Sequence, residues 1–252
     1  MAEKTAIGWT RSTWNPWIGC TKISPGCTNC YAERTDARGI FGGETHWGPG
    51  VPRYRTRQAN WNAVRRWNRQ AAATGEFWPV FTASQADIFD NEVPAEWRAE
   101  FWTLVRECSS LTFQIVTKRI GNALSMLPPD WETGYSNVWL ISTIVTQAEA
   151  DRDIAKLLRV PAALHGLSME PLLEAVKLPP AHAKMLGWVI AGGESGRAAR
   201  LMDIEWPRSL REQCRVSGTP FYFKQLGGVN DKRADLDQIP GDLHVREVPD
   251  VR

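Results

Sequence analysis

Many of the usual signatures of catalysis and targeting are missing from this 252-residue chain. It has only four histidines, His46, His165, His182 and His244, in no H-x3-H or H-E-x-x-H spacing. That argues against a His-based metalloenzyme. The absence of G-x-S-x-G and of a P-loop argues against the hydrolase and NTPase classes. No apolar run approaches the roughly 20 residues that cross a bilayer, which excludes a membrane-spanning helix. Met1-Ala2-Glu3-Lys4 leads on without an apolar h-region, so a cytoplasmic location is expected. The formal net charge is only +2, so any attraction to a polyanion must come from a local patch. Repeats, low-complexity tracts and long linkers are lacking as well. A single domain over 1–252 is the expectation.

What is present is the makeup of a packed globular protein, with 43% hydrophobic and 23% charged residues. The 13 Trp are many for this length, more than enough for a core and for exposed ring faces. Short apolar or β-branched runs begin at 79, 112, 138, 162, 187 and 220, each ending in polar residues. Their spacing suits a strand, a helix and two loops, the βα unit of a parallel sheet. Pro94 to Val105, Ala148 to Leu158 and Trp206 to Cys214 read as intervening helices, two of them with Pro near the start. With an earlier strand near Trp14 to Ile18 there are about seven units. The leading architecture is therefore α/β, a full or partial (β/α) barrel, with an open doubly wound sheet as the runner-up. Either scaffold places its active site at the carboxyl ends of the strands, where the polar residues of this chain gather.

The five Cys are unevenly placed. Cys20, Cys27 and Cys30 form a C-x6-C-x2-C segment at the exit of the first strand, while Cys108 and Cys214 stand alone in helical segments. A disulfide framework fits this poorly, whereas thiolate ligation of a soft metal fits it well. Pro25-Gly26 supplies the turn that returns Cys20 toward the other two. Two ligation states are open on these residues: a structural zinc site with His46 as fourth ligand, or a 4Fe–4S cluster held by three Cys with one iron free. The zinc state would make the chain a non-catalytic nucleic-acid-binding or interaction module.

The run W-T-x-S-T-W-N-P-W-x-G-C-T-K-I-S-P-G-C-x-N-C-Y-A-E-R over 9–34 resembles the phage Gp37/Gp68 family of three-Cys-motif proteins. The resemblance continues through F-T-A-S-Q-A-D-I-F (81–89), F-Q-I-V-T-K-R (113–119), N-V-W-L (137–140), L-S-M-E-P-L-L (167–173), W-V-I-A-G-G-E-S-G (188–196) and P-F-Y-F-K-Q-L-G (220–227). It covers nearly the whole chain in order. That family looks related to radical S-adenosylmethionine enzymes, whose partial barrels carry a Cys triad after the first strand. Their usual triad is C-x3-C-x2-C with an aromatic residue before the last Cys; here the first gap is six and Asn29 takes that place. The resemblance implies a 4Fe–4S cluster on Cys20, Cys27 and Cys30, with S-adenosylmethionine chelated by the open iron. It further implies a flavodoxin- or ferredoxin-like reductant and a 5′-deoxyadenosyl radical that takes a hydrogen from substrate. Ser84, Lys118 and Glu170, at three strand ends, are the candidates for binding S-adenosylmethionine.

Two further features bear on the substrate. Residues 45 to 75 contain no Asp or Glu but include Arg53, Arg55, Arg57, Arg65, Arg66 and Arg69. A helix from about Ala59 puts Trp61, Val64, Trp67 and Ala71 on one face and Arg65, Arg66 and Arg69 on another. Such a basic face suits a nucleic-acid or nucleotide substrate, in the manner of photoproduct lyases, or else a solvated surface. Gly192-Gly193-Glu194-Ser195-Gly196 follows a strand and offers either a backbone cradle for phosphate or a tight turn.

Overall fold

The computed structural model describes residues 1–250. Nine strands form: β1 (Ser12–Trp14), β2 (Trp17–Ile18), β3 (Tyr54–Arg55), β4 (Pro79–Thr82), β5 (Thr112–Thr117), β6 (Val138–Thr143), β7 (Leu164–Met169), β8 (Trp188–Gly192) and β9 (Phe221–Gln225). Seven of them make one all-parallel sheet in the order β1-β4-β5-β6-β7-β8-β9. The order never reverses, so the doubly wound alternative, which requires a switch point, is set aside. The edge strands β1 and β9 do not pair with each other, and the sheet curls into a half-barrel. The first strand is shorter than expected: the chain leaves the sheet after Trp14, and β2 pairs antiparallel with β3 above it.

Helices α1 (Tyr31–Asp36), α2 (Gln58–Thr74), α3 (Ala95–Glu107), α4 (Ala123–Met126), α5 (Gln147–Arg159), α6 (Pro180–Ala183) and α7 (Glu205–Ser217) occupy the crossovers. In α3, α5 and α7 the apolar stripes predicted from periodicity are the buried ones, for instance Phe101, Leu104 and Val105 of α3. Thr146 caps α5 by accepting from the Glu149 amide. The crossovers from β5 to β6 and from β7 to β8 carry only single-turn helices, α4 and α6. No helix among the described residues is long and apolar enough to cross a membrane.

Two apolar clusters lie on opposite faces of the sheet. The convex one packs the helices and is rich in aromatics: Trp14, Trp17, Trp61, Trp67, Phe101 and Phe113 are each at most 2% exposed. The concave one fills the lower half-barrel with Trp9, Trp139, Trp188, Ile190 and Tyr222, flanked by Phe77, Phe81 and Val116. Trp9 meets Trp188 edge-on and packs on Phe81. Ten of the 13 Trp are buried and the other three, Trp47, Trp97 and Trp206, half-buried, so the excess of Trp serves mainly packing. A dry aromatic floor thus lies beneath the carboxyl ends of the strands.

Candidate functional site

The three-cysteine loop lies across that carboxyl end and is tied to four strands. Cys20 follows β2. Gly19 donates to the Gln85 carbonyl, and the Cys20 carbonyl accepts from Gly48. Gly19 sits at φ +111, and a Cβ there would lie 2.3 Å from the His46 carbonyl, so only glycine allows this approach. Pro25–Cys27 makes a 3-10 turn capped by Ser24, whose Oγ accepts from Gly26. The same Oγ donates to Glu149 at 2.7 Å, and Glu149 in turn accepts from the Val145 amide beyond β6. Asn29 donates to Glu194 (2.9 Å) and to the Ala198 carbonyl (2.7 Å), past β8. Cys30 then opens α1, and Tyr31 donates its hydroxyl proton to the Ser84 carbonyl beyond β4.

Cys20 is the most closely held of the three thiols. Arg119, which follows β5, donates from Nη1 to Cys20 Sγ at 3.1 Å and from Nη2 to the Thr21 carbonyl at 2.7 Å. Its guanidinium rests on Asp87 (3.5 Å) and Asp90 (3.8 Å), all buried. Burial raises the Cys20 thiol to about 12, with Asp87 adding to the effect and Arg119 opposing it. Cys108, at the C-terminal cap of α3 and not inside the helix as expected, and Cys214 in α7 are buried in the convex core. Burial raises their thiols to about 11 and about 12. Both lie in the convex core, apart from the loop.

His46 does not join that set. Its Nδ1 lies 2.8 Å from Asp36 and its backbone amide donates to the same carboxylate. Among the described residues no three of His, Cys, Asp or Glu converge on a point that would hold a single metal ion. Three thiols on separate corners of a cluster need not converge in that way. The Cys3His zinc set is therefore not assembled, since His46 is engaged by Asp36, while the three thiols lie in one loop.

Of the three residues proposed for S-adenosylmethionine, Ser84 and Lys118 contact this loop or the helix that follows it. Ser84 accepts from Tyr31 through its carbonyl, and its Oγ accepts from Asn15 Nδ2 at 3.1 Å. The stem of Lys118 packs against Gly26, and its ammonium has no carboxylate partner among the described residues. Glu170, after β7, lies 3.0 Å from Lys224 Nζ, so this pair is an ion pair while Lys118 stays apart. A Cβ on Gly192 would come within 3.0 Å of Glu170 Oε1, which explains the bare position opposite.

Two segments with alternative readings are built for packing. The Gly-rich turn after β8 is not an open phosphate cradle. Gly193 and Gly196 spend their amides on the Gln225 and Gly228 carbonyls, and a Cβ on Gly193 would collide with the Leu226 carbonyl at 1.9 Å. Glu194 instead clamps Arg200, accepting from its backbone and guanidinium. The basic face of α2 is neutralised in part: Arg65 pairs with Glu107 and Arg66 with Glu3, and before the helix Arg55 of β3 pairs with Glu100. Arg53 is buried on Asp90. Glu3 precedes β1 and Glu107 ends α3, so this face looks toward the amino ends of the strands, away from the cysteines. Two surface clefts, of about 360 and 380 Å³, lie beside α3 and between α2 and α3, and neither touches the loop.

Residue patterns alone did not single out Asn29, Tyr31, Asp87, Asp90, Arg119 or Glu149. The available signal was their position: Asp87 and Arg119 each follow a strand within a few residues, as active-site groups of parallel sheets do.

The architecture, a curled seven-stranded parallel half-barrel, is similar to that of spore photoproduct lyase. A Cys-to-Ser mutant of that protein matches with a TM-score of 0.54 at 11% identity, covering 85% of this chain and 77% of the other. The lyase complexed with dinucleoside spore photoproduct matches with a TM-score of 0.51 at 11% identity, covering 82% of this chain and 75% of the other. At that identity the likeness is one of fold. No match is found among curated protein sequences. Over residues 4–246 the chain matches, and belongs to, the protein family of unknown function DUF5131.

Proposed function

We propose that this protein is a radical S-adenosylmethionine enzyme in which Cys20, Cys27 and Cys30 hold three irons of a 4Fe–4S cluster. The observation that carries the reading is the placement of a three-thiol loop, pinned to four strand ends, over a half-barrel of the photoproduct-lyase kind. When bound, the cluster and S-adenosylmethionine supply reductive cleavage to a 5′-deoxyadenosyl radical and hydrogen abstraction from substrate, given an electron from a flavodoxin- or ferredoxin-like reductant. The chain's own part is placement and exclusion of water. The free ammonium of Lys118 suits the carboxylate of S-adenosylmethionine, Glu170 its amino group, and Ser84, oriented by Asn15, its ribose. Below them the floor of Trp9, Phe81, Trp139 and Trp188 closes the half-barrel to solvent.

The substrate in this reading is a nucleotide or nucleic acid, held at the rim of the half-barrel and not on α2. Arg34, one turn after Cys30, lies against Gly196, where a Cβ would come within 2.8 Å of Nη2. Arg233 lies against Gly228, which is hydrogen-bonded to Gly196, and spends Nε on a backbone carbonyl. With Arg197 these guanidiniums have no carboxylate partner among the described residues. Planar, unneutralised forks are suited to phosphate.

Anaerobic reconstitution tests the reading. Iron and sulfide should each reach about four per chain, the stoichiometry of the cluster, and reduced protein should release 5′-deoxyadenosine from S-adenosylmethionine. Cys30→Ala should abolish both, while Cys108→Ala and Cys214→Ala keep them. One tightly held zinc per chain, with no cluster formed, would sink the proposal and favour a zinc-stabilised binding module.

A further inference from the structure

Arg119 occupies a position that no packing requirement explains. Its guanidinium, with the side chain 6% exposed, stands between a thiol and two carboxylates. Nη1 reaches Cys20 Sγ and Nη2 the Thr21 carbonyl, so one planar group grips the cysteine and the next residue. The grip is itself built. The Arg119 amide donates to Thr117 Oγ1, which donates to Asp87 Oδ1, and Asp87 Oδ2 accepts the Lys118 amide. On the far side Asp90 binds Arg53 Nε at 2.8 Å, and Arg53 Nη2 donates to Thr21 Oγ1 at 2.7 Å. Two arginines thus alternate with two aspartates around Cys20 and Thr21. The aspartates balance the arginines, and the sulfur touches the cationic member only.

We propose that Arg119 is the positioning and potential-setting residue of the site: it fixes the Cys20 sulfur and shields it from Asp87 and Asp90, making the cluster easier to reduce. The inference rests on the radical reading and adds a role that the thiol triad alone does not specify. Reduction adds one negative charge to the cluster. A donor on a ligand sulfur stabilises that charge, and nearby carboxylates oppose it. Without the guanidinium, the sulfur loses its donor and faces Asp87 stripped of its cation, beside an Asp90 that keeps only Arg53. Both changes disfavour the reduced state.

The test uses full-length protein reconstituted anaerobically and titrated electrochemically, with the reduced cluster followed by electron paramagnetic resonance. Arg119→Gln should leave at least tenfold less reduced cluster at a fixed potential, a fall of about 59 mV or more for a one-electron couple. Arg119→Lys, which keeps the charge but cannot hold Sγ and the Thr21 carbonyl together, should fall between wild type and Gln. Asp90→Asn should move the potential upward, and it provides a measurement should Arg119→Gln fail to load iron. A loaded Arg119→Gln protein with the wild-type potential overturns the inference and leaves the cluster reading intact. So does an Asp90→Asn protein whose potential is unchanged or lower. A wild type that takes up no cluster overturns both readings.

Discussion

Glu194 offers the sharpest link between stability and the site. It is 7% exposed, and its carboxylate accepts four hydrogen bonds: from Asn29 Nδ2 (2.9 Å) and from Arg200 N (2.9 Å), Nε (2.9 Å) and Nη2 (2.7 Å). Burial works against the charge, but the Arg200 and Asn29 bonds outweigh it and hold the carboxyl below its usual range. Arg200 moves in the matching direction, upward. Glu194→Gln keeps the shape and removes the charge, leaving Arg200 without its anion. Breaking a buried pair costs roughly 3 to 5 kcal/mol. The Arg200 side chain is 35% exposed, so solvent screens part of this, and about 2 kcal/mol is expected. For a chain of this size that is about 4 to 8 °C in melting temperature.

The sign of the pH dependence follows from the lowered folded-state value. The stabilisation is complete well above the ordinary glutamate value of about 4.3 and is lost as pH falls through the folded value. Wild type and Glu194→Gln should therefore differ at pH 7 and converge as the pH falls below the folded-state value in urea melts. Because Glu194 also holds Asn29, the variant should bind less iron per chain. Melts that coincide at neutral pH, or a gap that widens in acid, would refute the pairing argument.

Two further outcomes follow from the packing and the charge map. Replacing Arg34, Arg197 and Arg233 by Gln should flatten the salt dependence of oligonucleotide binding by about 0.7 to 0.9 log units for each phosphate no longer neutralised, whereas the same change at Arg65, Arg66 and Arg69 should leave it alone; the reverse pattern in fluorescence anisotropy would return the interface to α2. Trp61→Ala should cost about 3 to 5 kcal/mol in chemical denaturation, because its ring is 2% exposed and packs edge-on against Trp14, and a loss below about 1 kcal/mol would contradict that packing.

Much of the architecture was legible locally. Strands of a parallel sheet are buried on both faces, so they read as continuous apolar runs. The expected starts at 79, 112 and 138 coincide with β4, β5 and β6, and those at 162, 187 and 220 fall within two residues of β7, β8 and β9. Amphipathic period did the same for α3, α5 and α7, and Trp61, Val64, Trp67 and Ala71 of α2 are buried as the period requires. The cysteine triad was equally accessible, since three cysteines within one loop are a property of spacing. Other features were decided only in three dimensions. Periodicity does not record whether a sheet closes, reverses or curls. The departure of Trp17–Ile18 from the sheet depends on Tyr54–Arg55 arriving beside it. Pairing of charges depends on distant segments meeting: Arg119 is 99 residues from Cys20, and Glu194 is 165 from Asn29. Arg65 and Arg66 looked like a free basic face because Glu107 and Glu3, far from them in the chain, are brought to them only by folding. A hydrogen bond or ion pair forms wherever two groups end within about 3 Å of each other, and for these groups that distance is set by the curl of the sheet.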